Sequence, residues 1–377
     1  MSEVYILTAV RTPVGIGKST GALAQLAPID LGAMVLREAV NRAGIDPGNV
    51  EDVIWGCVTP IDDQGANLAR LSVLQAGFPV SVPAVTLNRM CGSGQQAVHF
   101  AAQAILAGDM DIVIAGGTEM MSHQPIGSDW PEIWPENFPY DLVHQGISAE
   151  LMAEKWGLNR KALDDYAYQS HWRAMGAIQQ GHFESQILPI NSPDGNVIDR
   201  DEGVRMPPDR EKMNDLKPVF KPDGVITAGN ASQVSDAAAA IVLASAKAVG
   251  RLNLIPRARI IARVVVGSDP VLMLDGPIPA TKRVLERAGL DLSDIDVIEI
   301  NEAFASVVLA WAQELNPNML RVNPNGGAIA LGHPLGATGA VLMTKLLHEL
   351  ERIEGTYGLQ TMCIGHGMAT ATVIERI

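Results

Sequence analysis

The sequence predicts an α/β protein made of two homologous halves, one of them interrupted by an inserted segment. Three observations predict it. Short apolar strands alternate with helical stretches, the same succession of local motifs recurs late in the chain, and the stretch between them breaks the pattern with proline, tryptophan and charge.

The elements follow in order. Residues 4–10 read as a buried strand. Residues 31–43 carry apolar positions at helical spacing, with Gly44 as the stop signal. Residues 50–55 form the next strand, and strands that alternate with helices predict a parallel sheet. A strand over Ala84–Leu87 leads through Cys91-Gly92-Ser93-Gly94 into a helix starting near Gln95, and residues 111–117 make another strand. The second copy repeats this grammar. Arg287-Ala288-Gly289-Leu290-Asp291 matches Arg42-Ala43-Gly44-Ile45-Asp46 in residue type, and an acidic-apolar strand follows each. Leu335-Gly336-Ala337-Thr338-Gly339 answers the first glycine-containing turn. Residues 359–365 answer the strand after it, and residues 369–375 answer 237–244. Between the copies, residues 124–140 read as an irregular covering loop, 147–180 as helical, and 194–223 as polar and charged. The division is therefore 1–120 with 232–250 for the first half, 121–231 for the inserted loop domain, and 251–377 for the second half.

A chain of 377 residues exceeds what one compact core usually supports, which agrees with a duplication. Hydrophobic residues at 47% and charged residues at 19% exclude long disorder. The net charge of −14 disfavours a nucleic-acid binder, although a local basic patch can hold a phosphorylated small molecule. Mean hydropathy is +0.13, yet the best apolar run, 237–246, is too short to span a bilayer, so no membrane partner is expected. Met1-Ser2-Glu3 lacks the layout of a secretion signal. Three widely spaced cysteines, Cys57, Cys91 and Cys363, give no disulfide framework and suit a reducing cytoplasm.

Cys91 stands between a strand and a helix in Asn88-Arg89-Met90-Cys91-Gly92-Ser93-Gly94. A thiol at a helix N-terminus faces unpaired N–H groups, which favour thiolate, and the glycines admit a second molecule; the bland reading is a small core residue. His333, inside Gly332-His333-Pro334 just before a helix, could take a thiol proton or donate to an oxyanion, or simply bond its loop. Cys363 ends a buried strand and taken alone reads as a core residue. Its spacing to His366 occurs in metal sites, but no second pair completes four ligands, so zinc is rejected and no metal is expected. Asn301 reads as a helix N-cap, or as an amide that holds a water or a carbonyl. Gly17-Lys18-Ser19 resembles the end of a phosphate-binding loop, but Thr12 occupies the required upstream glycine position.

Taken together, these segments resemble the thiolase family over essentially the whole chain. The blocks 88–94, Asn301-Glu302-Ala303-Phe304-Ala305, Gly332-His333-Pro334 and Cys363-Ile364-Gly365 occur in family order. The resemblance implies a thiolase-like fold, layered α-β-α-β-α, with a loop domain that covers coenzyme A. It also implies the division of roles. Cys91 attacks a 3-ketoacyl-CoA and carries the acyl group, His333 activates it, and Cys363 moves the carbon-bound proton. One oxyanion hole uses His333 with a water held by Asn301; the other uses the N–H groups of Cys91 and Gly365. Two thiols can exchange protons with carbon acids and with CoA without a large energetic mismatch. Related ketoacyl synthases pair one cysteine with two histidines, and Cys363 argues against them.

By the same resemblance Arg205, helped by Lys212 or Arg210, meets CoA. Ser232 touches the pantetheine arm, and His144, Ala303 and Phe304 lie in substrate-contacting segments. CoA is then a substrate, no cofactor is bound permanently, and the chain forms a homodimer or homotetramer. Three departures stand out: His366 where a small residue is usual, Gln145 where methionine is frequent, and a short stretch from Ser122 to His144. The rival readings are a short-chain acetoacetyl-CoA thiolase working biosynthetically and a non-catalytic scaffold subunit, the latter disfavoured because a scaffold needs none of the four chemical residues.

Overall fold

The computed structural model describes residues 3–377; Met1 and Ser2, where the opening was read for a secretion signal, lie outside the described residues. The first half begins with β1 (Val4–Arg11) and α1 (Pro28–Ala43). Helix α1 starts before the expected residue 31 because Pro28 sits in its first turn, where a missing N–H costs nothing. Gly44 ends it in the left-handed conformation, φ 66°. There follow β2 (Asp52–Gly56), α2 (Leu68–Gln75), β3 (Ala84–Leu87), α3 (Ser93–Ala107) and β4 (Ile112–Met120). The insertion holds α4 (Gln145–Lys155) and α5 (Arg160–Gln179). Strand β5 (Ser235–Ser245) then closes the half.

The second half repeats the succession: β6 (Ala258–Gly267), α6 (Pro277–Ala288), β7 (Val297–Ile300), α7 (Ala305–Leu315), α8 (Leu335–Arg352), β8 (Tyr357–Ile364) and β9 (Met368–Arg376). Helix α6 also starts on a proline and ends on a left-handed glycine, Gly289 at φ 68°. The counterpart of β3 shrinks to a single parallel bridge between Ile298 and Val322.

The sheet runs β7-β8-β9-β6-β1-β5-β4-β2-β3, with Gly15–Ile16 added on β5. It is mixed, which corrects the expectation of a parallel sheet. Strands joined through a helix, β2 with β3 and β4, and β7 with β8, pair parallel. Strand β9 follows β8 through a tight turn, and β5 follows β4 after the insertion, so both pairs are antiparallel. The halves meet at a two-residue antiparallel seam, Tyr5 with Arg259 and Ile6 with Ala258.

Strand alternation sorts the core into layers. Val53 and Trp55 pack with Leu31 and Leu36 of α1 on one face of the first half, while Ile54 packs with Ala97 and Ala101 of α3 on the other. Beyond α3 and α8 lies the second half, whose far face carries α6 and α7. The order is α-β-α-β-α. Helix α8 is central and buried from Leu335 to Leu350. Its one lysine, Lys345, reaches Glu299 and the Gly326 carbonyl, each at 2.7 Å, which a buried charge requires.

The amino ends of α3 and α8 approach backbone to backbone. A Cβ added at Gly339 would lie 2.0 Å from the Gln95 nitrogen, and one at Gly94 2.9 Å from the Gly336 oxygen. That approach explains the glycines in both repeat motifs. It brings together the corners after β3 and β8 and the starts of α3 and α8, where the chemical residues stand.

Candidate active site

Cys91 lies at the corner between β3 and α3, buried among Val58, Met121, Leu335, Leu342 and Met362. Burial pushes its thiol up to about 11, against donors that pull it down: the Gln145 side-chain amide, the Gly365 N–H and its own N–H. The resting group is therefore a neutral thiol that faces two backbone donors. Gly92 fits beside it because a Cβ there would lie 2.3 Å from Ile364 Cδ1. Gly92 thus seats the end of β8, the strand that carries Cys363.

Cys363 is buried on β8, and burial, then the charge of Cys91, pushes its thiol up. The packing agrees: Gly92, next to Cys91, lies against Ile364, next to Cys363. Cys57 is also buried, but it faces Glu119, and burial with that carboxylate pushes it far up. Its S–H donates to Glu119 Oε1 at 3.9 Å.

His333 precedes α8. Its Nδ1 is 2.6 Å from Thr338 Oγ1, which itself donates to the Pro334 carbonyl at 2.8 Å. A carbonyl only accepts, so the single hydroxyl proton goes to Pro334, and Nδ1 must carry the ring proton. Nε2 keeps its lone pair and lies 3.3 Å from Asn301 Nδ2. Burial lowers the imidazole to about 4, so it is neutral at pH 7 and able to take a proton. Asn301 is not the N-cap the sequence suggested: α7 begins four residues later, with Phe304 at the cap position. The Asn301 side chain is free for the site, and its buried Oδ1 has no protein partner.

The loop segment supplies a second group of residues. Ser232 N donates to the Ala303 carbonyl at 2.9 Å, and Ala231 bridges Phe304, so Ser232, Ala303 and Phe304 form one strip. His144 caps α4 through Nδ1 on Gly146 N at 3.1 Å and stacks on Phe220, which meets Phe304 edge-on. Arg205 and Lys212 line a cleft of about 440 Å³ with Met213, Gly229 and Gln233. Arg210 does not join them; it pairs with Asp165 and lies over Tyr168. His366 adopts φ 62°, lies tilted against Trp130 of the irregular loop with ring centroids 5.6 Å apart, and leaves Nδ1 unpartnered.

Thr338, Glu119 and Glu302 had no role in the sequence reading, and Gln145 entered it only as a departure from the family pattern. Thr338 fixes the His333 tautomer, and the Gln145 side-chain amide bears on the Cys91 thiol. Glu119 accepts N–H bonds from Val58, Thr59 and Gly336, tying the halves together behind Cys91. Glu302 accepts from Tyr166 and Ser170 of α5, each at 2.7 Å, and so holds the inserted segment on the second half. An acid inside the apolar strand β4 was the available signal for Glu119; the others depend on long-range contacts. Among the described residues no group of His, Cys, Asp or Glu could hold a metal ion, and no helix is long and apolar enough to cross a membrane.

Comparison with known proteins agrees with this arrangement. Residues 4–247 match the thiolase N-terminal domain and residues 254–376 the thiolase C-terminal domain. The chain is similar to a steroid 3-ketoacyl-CoA thiolase of Mycobacterium tuberculosis, 49% identical over all of this chain and 95% of that protein. It is 43% identical to a beta-ketothiolase of Cupriavidus necator, over 100% and 99% of the two chains. The crystal structure of the Bacillus anthracis acetyl-CoA acetyltransferase superposes with a TM-score of 0.92 at 38% identity, covering 100% of this chain and 99% of that one. With both domains matched and the order of elements shared, the chain belongs to the thiolase family and is an acyltransferase.

Proposed function

We propose that this chain is a 3-ketoacyl-CoA thiolase, which cleaves a 3-ketoacyl-CoA with free CoA to acetyl-CoA and an acyl-CoA shorter by two carbons. The observation that carries the reading is the pairing of two buried thiols, Cys91 and Cys363, with the Gly365 N–H turned toward the Cys91 sulfur. A single nucleophilic cysteine would suffice for acyl transfer. A second thiol beside it suits a reaction that also moves a proton to and from carbon.

His333 Nε2 takes the Cys91 proton as the sulfur attacks the 3-keto carbon, and the resulting oxyanion is met by the N–H groups of Cys91 and Gly365. The C2–C3 bond breaks, its electron pair passes to C2 as a thioester enolate, and the Cys363 S–H protonates it to release acetyl-CoA. The Cys363 thiolate then removes the proton of incoming CoA. The CoA sulfur attacks the acyl-Cys91 thioester, and Cys91 leaves with the proton held on His333. The orphaned Oδ1 of Asn301 suits a water that donates to it and to the enolate oxygen. The reverse sequence is a Claisen condensation.

For binding, we assign Arg205 and Lys212 to the phosphates of CoA, and the strip of Ser232, Ala303 and Phe304 with His144 to its pantetheine arm. Residues 121–231 act as the covering domain. The chain works in the cytoplasm as a homo-oligomer, for which the one-sided edge strand β3, with Val85 45% exposed, supplies a pairing surface. A thiolysis assay across 3-ketoacyl-CoA chain lengths tests the reading. Consumption of CoA with release of acetyl-CoA supports it, and inertness toward every chain length overturns it.

A further inference from the structure

We propose that Gln145 is a further catalytic residue, whose side-chain amide donates to the Cys91 sulfur in the free enzyme and to the acyl oxygen in the tetrahedral adduct. It would be a third donor beside the N–H groups of Cys91 and Gly365. The proposal rests on the thiolase reading above and adds a residue to its acyl-transfer half.

The geometry is specific. A Cβ placed on Gly365 would lie 3.1 Å from Gln145 Nε2 and 3.5 Å from Met90 Cγ, so the amide nitrogen packs on Gly365 beside the residue that precedes Cys91. Gly365 is what leaves that space open. Gln145 is the first residue of α4, and the start of that helix is clamped. The His144 cap holds Gly146 N at 3.1 Å. A Cβ at Gly146 would fall 2.2 Å from the Phe220 ring, so the turn is pressed against that ring. One turn on, Ser148 Oγ donates to the Val271 carbonyl at 2.7 Å. An amide held this rigidly needs little reorganisation when charge develops beside it, which is the condition for an effective oxyanion donor.

The chemistry favours an amide at this place. Cys91 is buried in apolar surroundings that oppose its thiolate, and a neutral donor offsets this without adding a charge near His333. Among the groups that favour the thiolate, the Gln145 amide has the largest effect. A methionine at this position would match the length of the side chain and supply no N–H.

The test compares wild type with Gln145→Met, which removes the donor and keeps the shape, and Gln145→Glu, which keeps the shape and opposes negative charge. Two readouts are taken on folded protein with matched melting temperatures. The first is the rate of iodoacetamide alkylation at Cys91 against pH, located by peptide mapping. The second is the rate of acyl-enzyme formation from acetyl-CoA. The proposal expects the alkylation profile of Gln145→Met to move to higher pH by about one unit, with acylation slower by roughly ten- to a hundredfold. Gln145→Glu should move the profile further the same way. If either folded variant keeps the wild-type profile and acylation rate, Gln145 only packs and the proposal is overturned. Failure of the thiolase reading is distinct: wild-type enzyme would then take no acyl group on Cys91 at all.

Discussion

Thr338 Oγ1 lies 2.6 Å from His333 Nδ1 and donates its own hydrogen bond to the Pro334 carbonyl, so a hydroxyl one turn into α8 decides which nitrogen of the imidazole is bare. Without it the ring is free to rotate or to protonate on Nε2, and the base is lost for part of the time. Thr338→Val keeps the branched shape and removes the acceptor. Thiolysis kcat should fall roughly ten- to a hundredfold, within the range a positioned base supplies. KM and melting temperature should change little, and Thr338→Ser should restore the rate.

Gly339 and Gln95 form the closest approach of the two central helices. Gly339→Ala forces a Cβ to within 2.0 Å of the Gln95 nitrogen, a backbone atom that cannot swing away. Destabilisation by about 2–3 kcal/mol or more is expected, read as the midpoint of denaturant unfolding. Gly44→Ala is the control. Nothing lies within 4 Å of its Cβ position, so it loses only the left-handed preference of glycine, about 1 kcal/mol.

The duplication was legible because its punctuation is local. Gly44 and Gly289 are left-handed caps after matching helices, and the glycine-containing turns recur where α3 and α8 touch. Cys91 and His333 stood out because each interrupts a glycine-rich corner, whereas Cys363 taken alone reads as a core residue and stood out only through the family resemblance. The strand order and the antiparallel pairs were not, since alternating strands and helices fix the handedness of a connection but not which edge the next strand joins. Thr338 and Glu302 were hidden for a different reason. Each is an ordinary polar residue until a partner arrives, next to it in space through a bend in the one case and from α5 in the other. Of the two readings open for Asn301, the cap fails because α7 starts four residues later, without a side-chain cap.

Burial sets the reactivity of the three thiols. With Cys91 raised to about 11, its thiolate fraction rises about tenfold for each pH unit below that value. Alkylation of the free enzyme should therefore climb steadily from pH 7 to pH 10 with no plateau near neutrality. Cys91 should still be modified first, since Cys57 is held further from ionisation by burial and Glu119. Acyl-CoA should block the reaction. Peptide mapping that finds Cys57 modified equally fast would contradict the assignment of the nucleophile.

Arg205 is exposed at the mouth of its cleft, where its charge acts on a mobile anion through solvent. Arg205→Ala should raise KM for CoA several-fold and leave kcat nearly unchanged. Added salt should narrow the gap between variant and wild type, because screening removes the same attraction. Initial rates at low and moderate ionic strength measure this; equal KM values at both would place the phosphates elsewhere.

The central claim is that Cys91 carries the acyl group while Cys363 carries the proton of a carbon acid, and Cys363→Ala tests it most directly. Attack of Cys91 on acetyl-CoA needs His333 and oxyanion donors but forms no carbanion, so the variant should still become acetylated, seen as a mass increment on the Cys91 peptide. Cleavage of a 3-ketoacyl-CoA passes through an enolate that then lacks its proton donor. Thiolysis should drop by roughly a hundred- to ten-thousandfold, the usual cost of losing a positioned general acid–base. The two measurements are made on one preparation. Acetylation retained with thiolysis lost is the predicted result; near-normal thiolysis in the variant would reduce Cys363 to a core cysteine and contradict the account.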